Sequence, residues 1–152
     1  MSNTASRSMN VARILDKTAA LAFQMEMEEI VPAFDEAEAT CLSEASSKEE
    51  ELEIKRRVAE WKMKLFCDRD APFEKVDQLY NDVIKLGYSS LEVEGNIEIY
   101  FAQYCIRQDR GDVARPLLEQ LCSKLDIALE SKDLDVYHQL KEDAEKFISR
   151  IE

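Results

Sequence analysis

The side chains that could carry out metal or acid–base chemistry in this sequence are a single histidine and several groups of acids. His138 follows Asp135 by three residues, so on a helix the two side chains share a face and could supply two ligands to a metal ion. One histidine is too few for an H-E-x-x-H zinc site or a paired di-iron site, and no partner for a histidine-based triad is recognisable. We therefore interpret His138 as an exposed helix residue and predict no catalytic, cofactor-binding or metal-binding residue.

Asp68 and Asp70 have the spacing that begins a calcium loop. The positions where that loop needs a further ligand, its glycine and its closing Glu hold Pro72, Phe73 and Leu79, so we reject a calcium site. Neither G-x-G-x-x-G nor G-x-x-x-x-G-K occurs, and a phosphate-binding loop has no support. The sequence thus favours a protein without catalysis. An enzyme that uses a buried carboxylate is the alternative from another class.

The net charge of −12 is unevenly distributed along the 152 residues. The segment 26–53 holds eleven acids and one lysine, Lys48. A nucleic acid or an anionic lipid surface needs Lys and Arg on the protein, so neither is expected as a partner. The segment is interpreted as a solvated helix face with an acidic connection, and a docking patch for a basic partner is the alternative.

The four cysteines show no C-x-x-C spacing, and two of them, Cys105 and Cys122, fall on apolar stripes where a free thiol packs as a small hydrophobe. This usage indicates a reducing compartment. No apolar run approaches the roughly 18 residues of a membrane span. We therefore expect a cytoplasmic protein that does not insert into a membrane.

Apolar residues recur at helical intervals along most of the chain, and glycine and proline number only three each. The pattern predicts an all-α protein of about six helices. A first helix is expected from about residue 10 to 30, with Pro32 ending or kinking it, and residues 34–45 read as either a short helix or a loose connection. Further helices are expected at about 46–67, 73–86, 89–105 and 112–130, and a last helix is expected to start at Ser131 or Asp133 and to reach about residue 151.

Local signals mark several helix ends. Ser46 or Ser47, followed by Glu three residues later, has the pattern of a capping box, and Ser89 with Glu92 repeats it. Gly87 is expected to end one helix. In the break R-Q-D-R-G-D, Gly111 is expected to take the left-handed conformation that closes one helix, with the next residue, Asp112, capping the following helix.

Short connections between these helices force sequential neighbours to lie antiparallel. We predict an N-terminal helix and acidic connection at 1–45, and a domain of stacked antiparallel helical hairpins at 46–152. The N-terminal helix would either cap the array or pair with a second copy, and a homodimer is one arrangement that this allows.

The segment Y-F-A-Q-Y-C at 100–105, with Gly111 and the stripe Ala114, Leu117, Leu118 and Leu121, resembles a tetratricopeptide-type repeat. In that repeat a small residue of the first helix meets an Ala of the second, and Ala102 and Ala114 would be this pair. Ile97 and Glu98 stand where the repeat has Trp. The resemblance covers about one repeat and half of another. It implies a tetratricopeptide-like array that binds through a concave surface.

A narrower resemblance concerns the C-terminal third. Tyr104-Cys105-Ile106, the glycine turn, A-R-P-L-L-E-Q-L and then Leu134 with Tyr137 are similar to the C-terminal helical region of type VI secretion assembly proteins of the TssA kind. This resemblance implies an assembly factor of a bacterial secretion machine.

These observations together favour a non-catalytic module that binds another protein or a peptide, as an adaptor or assembly factor. A small acidic chaperone or a toxin-immunity protein is the alternative within the same class. Aromatic side chains are the preferred anchors at interfaces. The candidate partner-binding residues are Trp61, Phe66, Tyr100, Tyr104 and Tyr137. The simplest interpretation of the three tyrosines is that they belong to the core, and Trp61 and Phe66 fit either role.

Overall fold

The structure of the chain is a computed structural model that describes residues 3–151, with side chains from residue 9 onward. Across this range the chain forms seven α-helices and no strand, which confirms the all-α prediction. The helices are α1 Asn3–Ala22, α2 Met27–Ser43, α3 Lys48–Asp68, α4 Phe73–Leu86, α5 Leu91–Arg107, α6 Gly111–Ser131 and α7 Asp135–Ile148. The seventh helix arises because residues 27–43, which the prediction divided between the first helix and the open segment 34–45, form one separate helix, α2.

The described helices divide into two compact units. The first holds α1, α2, α3 and most of α4, and the second holds residues 70–74 with α5, α6 and α7. The predicted boundary after residue 45 lies inside the first unit, between α2 and α3, and α3 packs on both α1 and α2. The outermost residues of the predicted domains, 1, 2 and 152, lie outside the described residues.

Each unit contains the same three-helix arrangement. The first helix packs on the second, the second on the third, and the first also contacts the third. Connections of three or four residues make successive helices antiparallel. The middle helices α2 and α6 both carry a proline at their sixth position, and their buried residues have the same spacing. These residues are Ile30, Phe34, Ala37 and Cys41 in α2, and Ala114, Leu118, Leu121 and Leu125 in α6.

The prediction of one helix from residue 10 to 30 was wrong, because the chain turns after Ala22. The guanidinium of Arg69 donates a hydrogen bond to the Ala22 carbonyl at 2.6 Å, which satisfies an acceptor at the end of α1. Pro32 neither ends nor interrupts α2. It lies early in the helix, so its missing N–H removes only a bond to the carbonyl of Glu28, an exposed residue of the first turn.

The predicted cap of α3 and the predicted end of α4 were confirmed, and the cap of α5 lies one residue later than predicted. The Ser47 hydroxyl caps α3 by accepting from the Glu50 amide at 3.1 Å, while the Glu50 carboxylate accepts from the Ser46 amide. Gly87 ends α4 with φ of 78°. At α5 the cap is Ser90, whose hydroxyl accepts from the Val93 amide at 3.1 Å, and not Ser89.

The prediction for the break before α6 was also wrong. Asp109, with φ of 59°, takes the left-handed conformation, and Gly111 is the first residue of α6. A Cβ added at Gly111 would lie 2.7 Å from Cγ2 of Ile151, so this glycine is required by a close packing contact rather than by its backbone angle. The neighbouring Ala102 and Ala114 are fully buried, and their pairing across the turn stays a prediction.

A second glycine, Gly95, lies at a close contact between α5 and α7. A Cβ added at Gly95 would meet Cδ1 of Leu140 at 2.8 Å, well inside van der Waals contact. Leu140 is 4% exposed, so it has little room to move away. Glycine is unfavourable inside a helix by roughly 1 kcal/mol relative to alanine. Its presence here is explained by the packing of Leu140 directly on the α5 backbone.

We expect Gly95→Val to lower the free energy of unfolding by about 1 to 3 kcal/mol more than Asn96→Val, because only the first overpacks the α5–α7 contact. Asn96 is the matched control, since it is exposed on the same helix, and a valine there has the same unfavourable effect of a β-branched side chain on the helix. Urea denaturation measures both. In a Leu140→Ala background the two substitutions should cost nearly the same. An equal cost in the wild-type background would contradict the packing role of Gly95.

Candidate partner-binding groove

Three helices of the first unit enclose a groove with a volume of about 400 Å³. From α3 it is lined by Lys55, Val58, Ala59 and Lys62, whose spacing of three, four and seven residues places them on one helix face. Val31 and Glu38 line it from α2, and Lys75, Gln78, Leu79, Asp82 and Leu86 line it from α4. The groove therefore combines apolar and charged side chains from three different helices.

The floor of the groove is apolar and firmly packed. Val58 and Leu79 are 1% and 6% exposed, and Val31 and Leu86 are half-buried. Three lysines, Lys55, Lys62 and Lys75, line the groove beside this floor. Such a floor offers apolar contact to a partner, and the rim offers charges that fix its orientation.

Two contacts hold α4 against α3 and so form the wall of the groove. Near the end of α4, the Arg56 side chain donates from Nε to the Leu86 carbonyl at 3.2 Å. Near its start, the Lys75 ammonium lies 5.7 Å from the centroid of the Phe66 ring. The two contacts lie at opposite ends of the groove, which shows that α4 runs antiparallel to α3.

On the α2 side, Lys62 links the walls. Its Nζ lies 2.6 Å from Oδ1 of Asp35, and the Lys62 side chain is only 15% exposed. Asp35 is therefore already committed to this ion pair. Glu38, Lys55 and Asp82 have no ion pair or hydrogen bond with the described residues, so their charges are open to a ligand.

None of the five aromatic residues predicted to bind a partner lines this groove. Tyr104 is fully buried in the second unit, where its hydroxyl donates to the Ala71 carbonyl, and Phe66 is 3% exposed beneath Lys75. Both are used to pack the chain's own helices and offer no surface to a partner. Trp61, Tyr100 and Tyr137 are half-buried, the first in unit one and the other two in unit two.

Sequence reasoning missed the groove because it searched for aromatic anchors. The signal that could have indicated it is the pair of lysines seven residues apart on α3, with Val58 and Ala59 between them. That spacing predicts one mixed face of a helix. It does not show which other helices stand beside that face.

A second, more open groove lies at the turn between α1 and α2. It has a volume of about 790 Å³ and is lined by Phe23, Gln24, Met25, Glu26, Leu65, Asp68 and Arg69. Phe23 and the nearby Leu21 are 65% and 50% exposed. These two side chains form a competing apolar surface, which the experiments below use as a comparison.

Comparisons with known proteins do not assign a family. A scan against protein-family models gave no match, and searches of curated proteins and of solved structures gave none either. The function must therefore be inferred from the described side chains themselves.

Two of the cysteine thiols lie in settings that disfavour the thiolate. Burial raises the pKa of the Cys41 and Cys122 thiols, with nearby carboxylates adding to the effect, so little thiolate forms at neutral pH. His138 is exposed and contacts Asp133 on its own segment. Among the described side chains, no group of three or more His, Cys, Asp or Glu is placed to hold a metal ion. No helix within the described range is long and apolar enough to cross a bilayer.

We expect Arg56→Met to lower the free energy of unfolding by about 1 kcal/mol more than Arg57→Met, because it removes a charge-assisted hydrogen bond to the end of α4. Arg57 is the control, since it forms only an exposed pair with Glu53, a type worth about 0.3 to 0.5 kcal/mol. Urea denaturation gives both values. Hydrogen exchange should also quicken in α4 of the Arg56 variant; unchanged exchange there would show that this bond does not hold the wall.

Proposed function

We propose that this chain is a non-catalytic interaction module, an adaptor or assembly factor, which binds a segment of another protein through the groove between α2, α3 and α4. The observation that carries the proposal is the groove's combination of a buried apolar floor with charges that have no partner in the described chain. A concave surface built by stacked helices binds by shape and charge complementarity, and it needs no reacting group.

The alternative of a small acidic chaperone or immunity protein uses the same groove. It differs in the number of partners, because an immunity protein masks one toxin, whereas an adaptor links two proteins. The composition of the captured complex distinguishes these readings.

An enzyme with a buried carboxylate would have Glu98 as its candidate. Glu98 is 8% exposed, and the Tyr88 hydroxyl donates to it at 3.3 Å. It lines neither of the two grooves described above. A binding function therefore has the stronger support.

The test is capture of the natural partner with three forms of the chain. Ala59→Trp fills the groove from α3, because Ala59 lines it. Phe23→Asp disrupts the competing surface at the α1–α2 turn, and the wild-type chain gives the reference. We expect Ala59→Trp to reduce the captured partner at least about tenfold, equivalent to 1.4 kcal/mol.

The same experiment should leave capture by Phe23→Asp near the wild-type level. Circular dichroism of both variants confirms that the helices are retained. If capture depends on Phe23 and survives Ala59→Trp, the partner binds at the α1–α2 turn and the proposal for the groove fails.

A further inference from the structure

The ion pair between α2 and α3 fixes which residues of these two helices stand beside each other. Asp35 of α2 meets Lys62 of α3, and the helices run antiparallel. Three residues further along α2 is Glu38, and three residues back along α3 is Ala59. Because the rise per residue is the same in both helices, Glu38 stands level with Ala59, and both line the groove.

The contact between α4 and α3 places a second acid at the same level on the other wall. Lys75 of α4 lies over the ring of Phe66 in α3. Seven residues further along α4 is Asp82, and seven residues back along α3 is again Ala59. Asp82 also lines the groove. The two acids therefore border the space above Ala59 from opposite walls, in the middle of the groove.

The basic side chains of the groove leave these two acids without a counter-ion. Lys62 is already paired with an acid of α2, and Lys75 lies two turns away over an aromatic ring. Lys55, one turn away in the other direction, is exposed and forms no ion pair within the described chain. Arg56 donates to a backbone carbonyl at the end of α4. The middle of the groove is thus locally negative.

The matching face of the second unit carries no open acid at this position. Counted from the proline that α2 and α6 share at their sixth position, Glu38 corresponds to Cys122. Asp126, one turn further along α6, and Glu145 of α7 both contact the Lys141 ammonium, at 2.6 and 3.8 Å. The three-helix arrangement therefore forms without an open acid here, so the fold does not account for Glu38.

We propose that the groove docks a segment of a partner protein that presents one arginine between apolar side chains, with its guanidinium held between Glu38 and Asp82. This inference rests on the proposed function and adds the chemistry of the partner. A guanidinium is planar and has five N–H donors, so it can donate to carboxylates on two sides at once, whereas an ammonium acts as a compact point charge.

The shape of the groove suits such a side chain. Ala59 adds only a methyl group to the surface between the acids, which leaves room for the guanidinium. The buried Val58 and Leu79 beside it offer apolar contact to the methylene groups of an arginine. The net charge of −12 on the whole chain would also attract a basic partner over a longer distance.

Selection from a library of random peptides tests the inference without a known partner. The peptides have about 12 residues, enough for three helical turns, and are displayed on phage. Those that also bind Ala59→Trp are removed, and the remainder are selected on the wild-type chain. We expect the retained peptides to share one arginine flanked by apolar residues. In the strongest peptide, replacing this arginine by Gln should weaken binding at least about tenfold, and replacing it by Lys at least about threefold.

The decisive variant combines Glu38→Gln with Asp82→Asn, which removes both charges and keeps the size of the side chains. On this variant, the Arg-to-Gln change in the peptide should alter the affinity less than about twofold. The control combines Glu36→Gln with Asp77→Asn, two acids of the same helices outside the groove lining, and changes the net charge equally. On the control the effect should stay at least about tenfold.

Other results overturn the inference. If the Arg-to-Gln change costs as much on the decisive variant as on the control, the arginine binds elsewhere. If the retained peptides lack a cation, or accept Lys without loss, the groove does not recognise a guanidinium, and the proposed function stands.

Two further outcomes contradict it. If no peptide distinguishes the wild-type chain from Ala59→Trp, the inference fails, and capture of the natural partner decides the proposed function separately. If sedimentation shows a wild-type dimer that Ala59→Trp dissociates, the occupant of the groove is a second copy.

Discussion

The groove depends on how α4 is attached to its unit. The other helices of the chain bring their backbones close together, whereas α4 packs through large side chains, with Val76, Leu79, Tyr80 and Val83 buried. Protein interiors are close-packed, so a wider helix spacing must either be filled or form an open groove. Here the space is left open between long lysine side chains, and the Arg56 bond to the end of α4 keeps the wall in place.

This arrangement separates the residues that stabilise the chain from those that can bind. The large aromatic side chains Phe34, Phe101 and Tyr104 are fully buried and belong to the cores of the two units. Small residues control the close contacts, as Gly95 and Gly111 do against Leu140 and Ile151. Partner binding is consequently left to surface positions. The groove in the first unit brings apolar and charged side chains from three helices together at such positions.

Features that depend on a few neighbouring residues could be predicted from the sequence. Helical spacing predicted the all-α class and the four helices after Pro72, and local chemistry predicted the Ser47 cap and the Gly87 stop. The break after Ala22 and the role of Gly111 depend on Arg69 and Ile151, which are distant in the sequence. The groove needs three helices spanning residues 31–86, so no local pattern could reveal it.

The central claim is that the partner occupies the groove between α2, α3 and α4. Hydrogen exchange of the chain, free and in its purified natural complex, tests this claim most directly, because a docked segment slows amide exchange where it covers the protein. The account predicts slower exchange in residues 55–62 and 75–86, with α6 and α7 little changed. Protection confined to the second unit, or to the turn between α1 and α2, would contradict it.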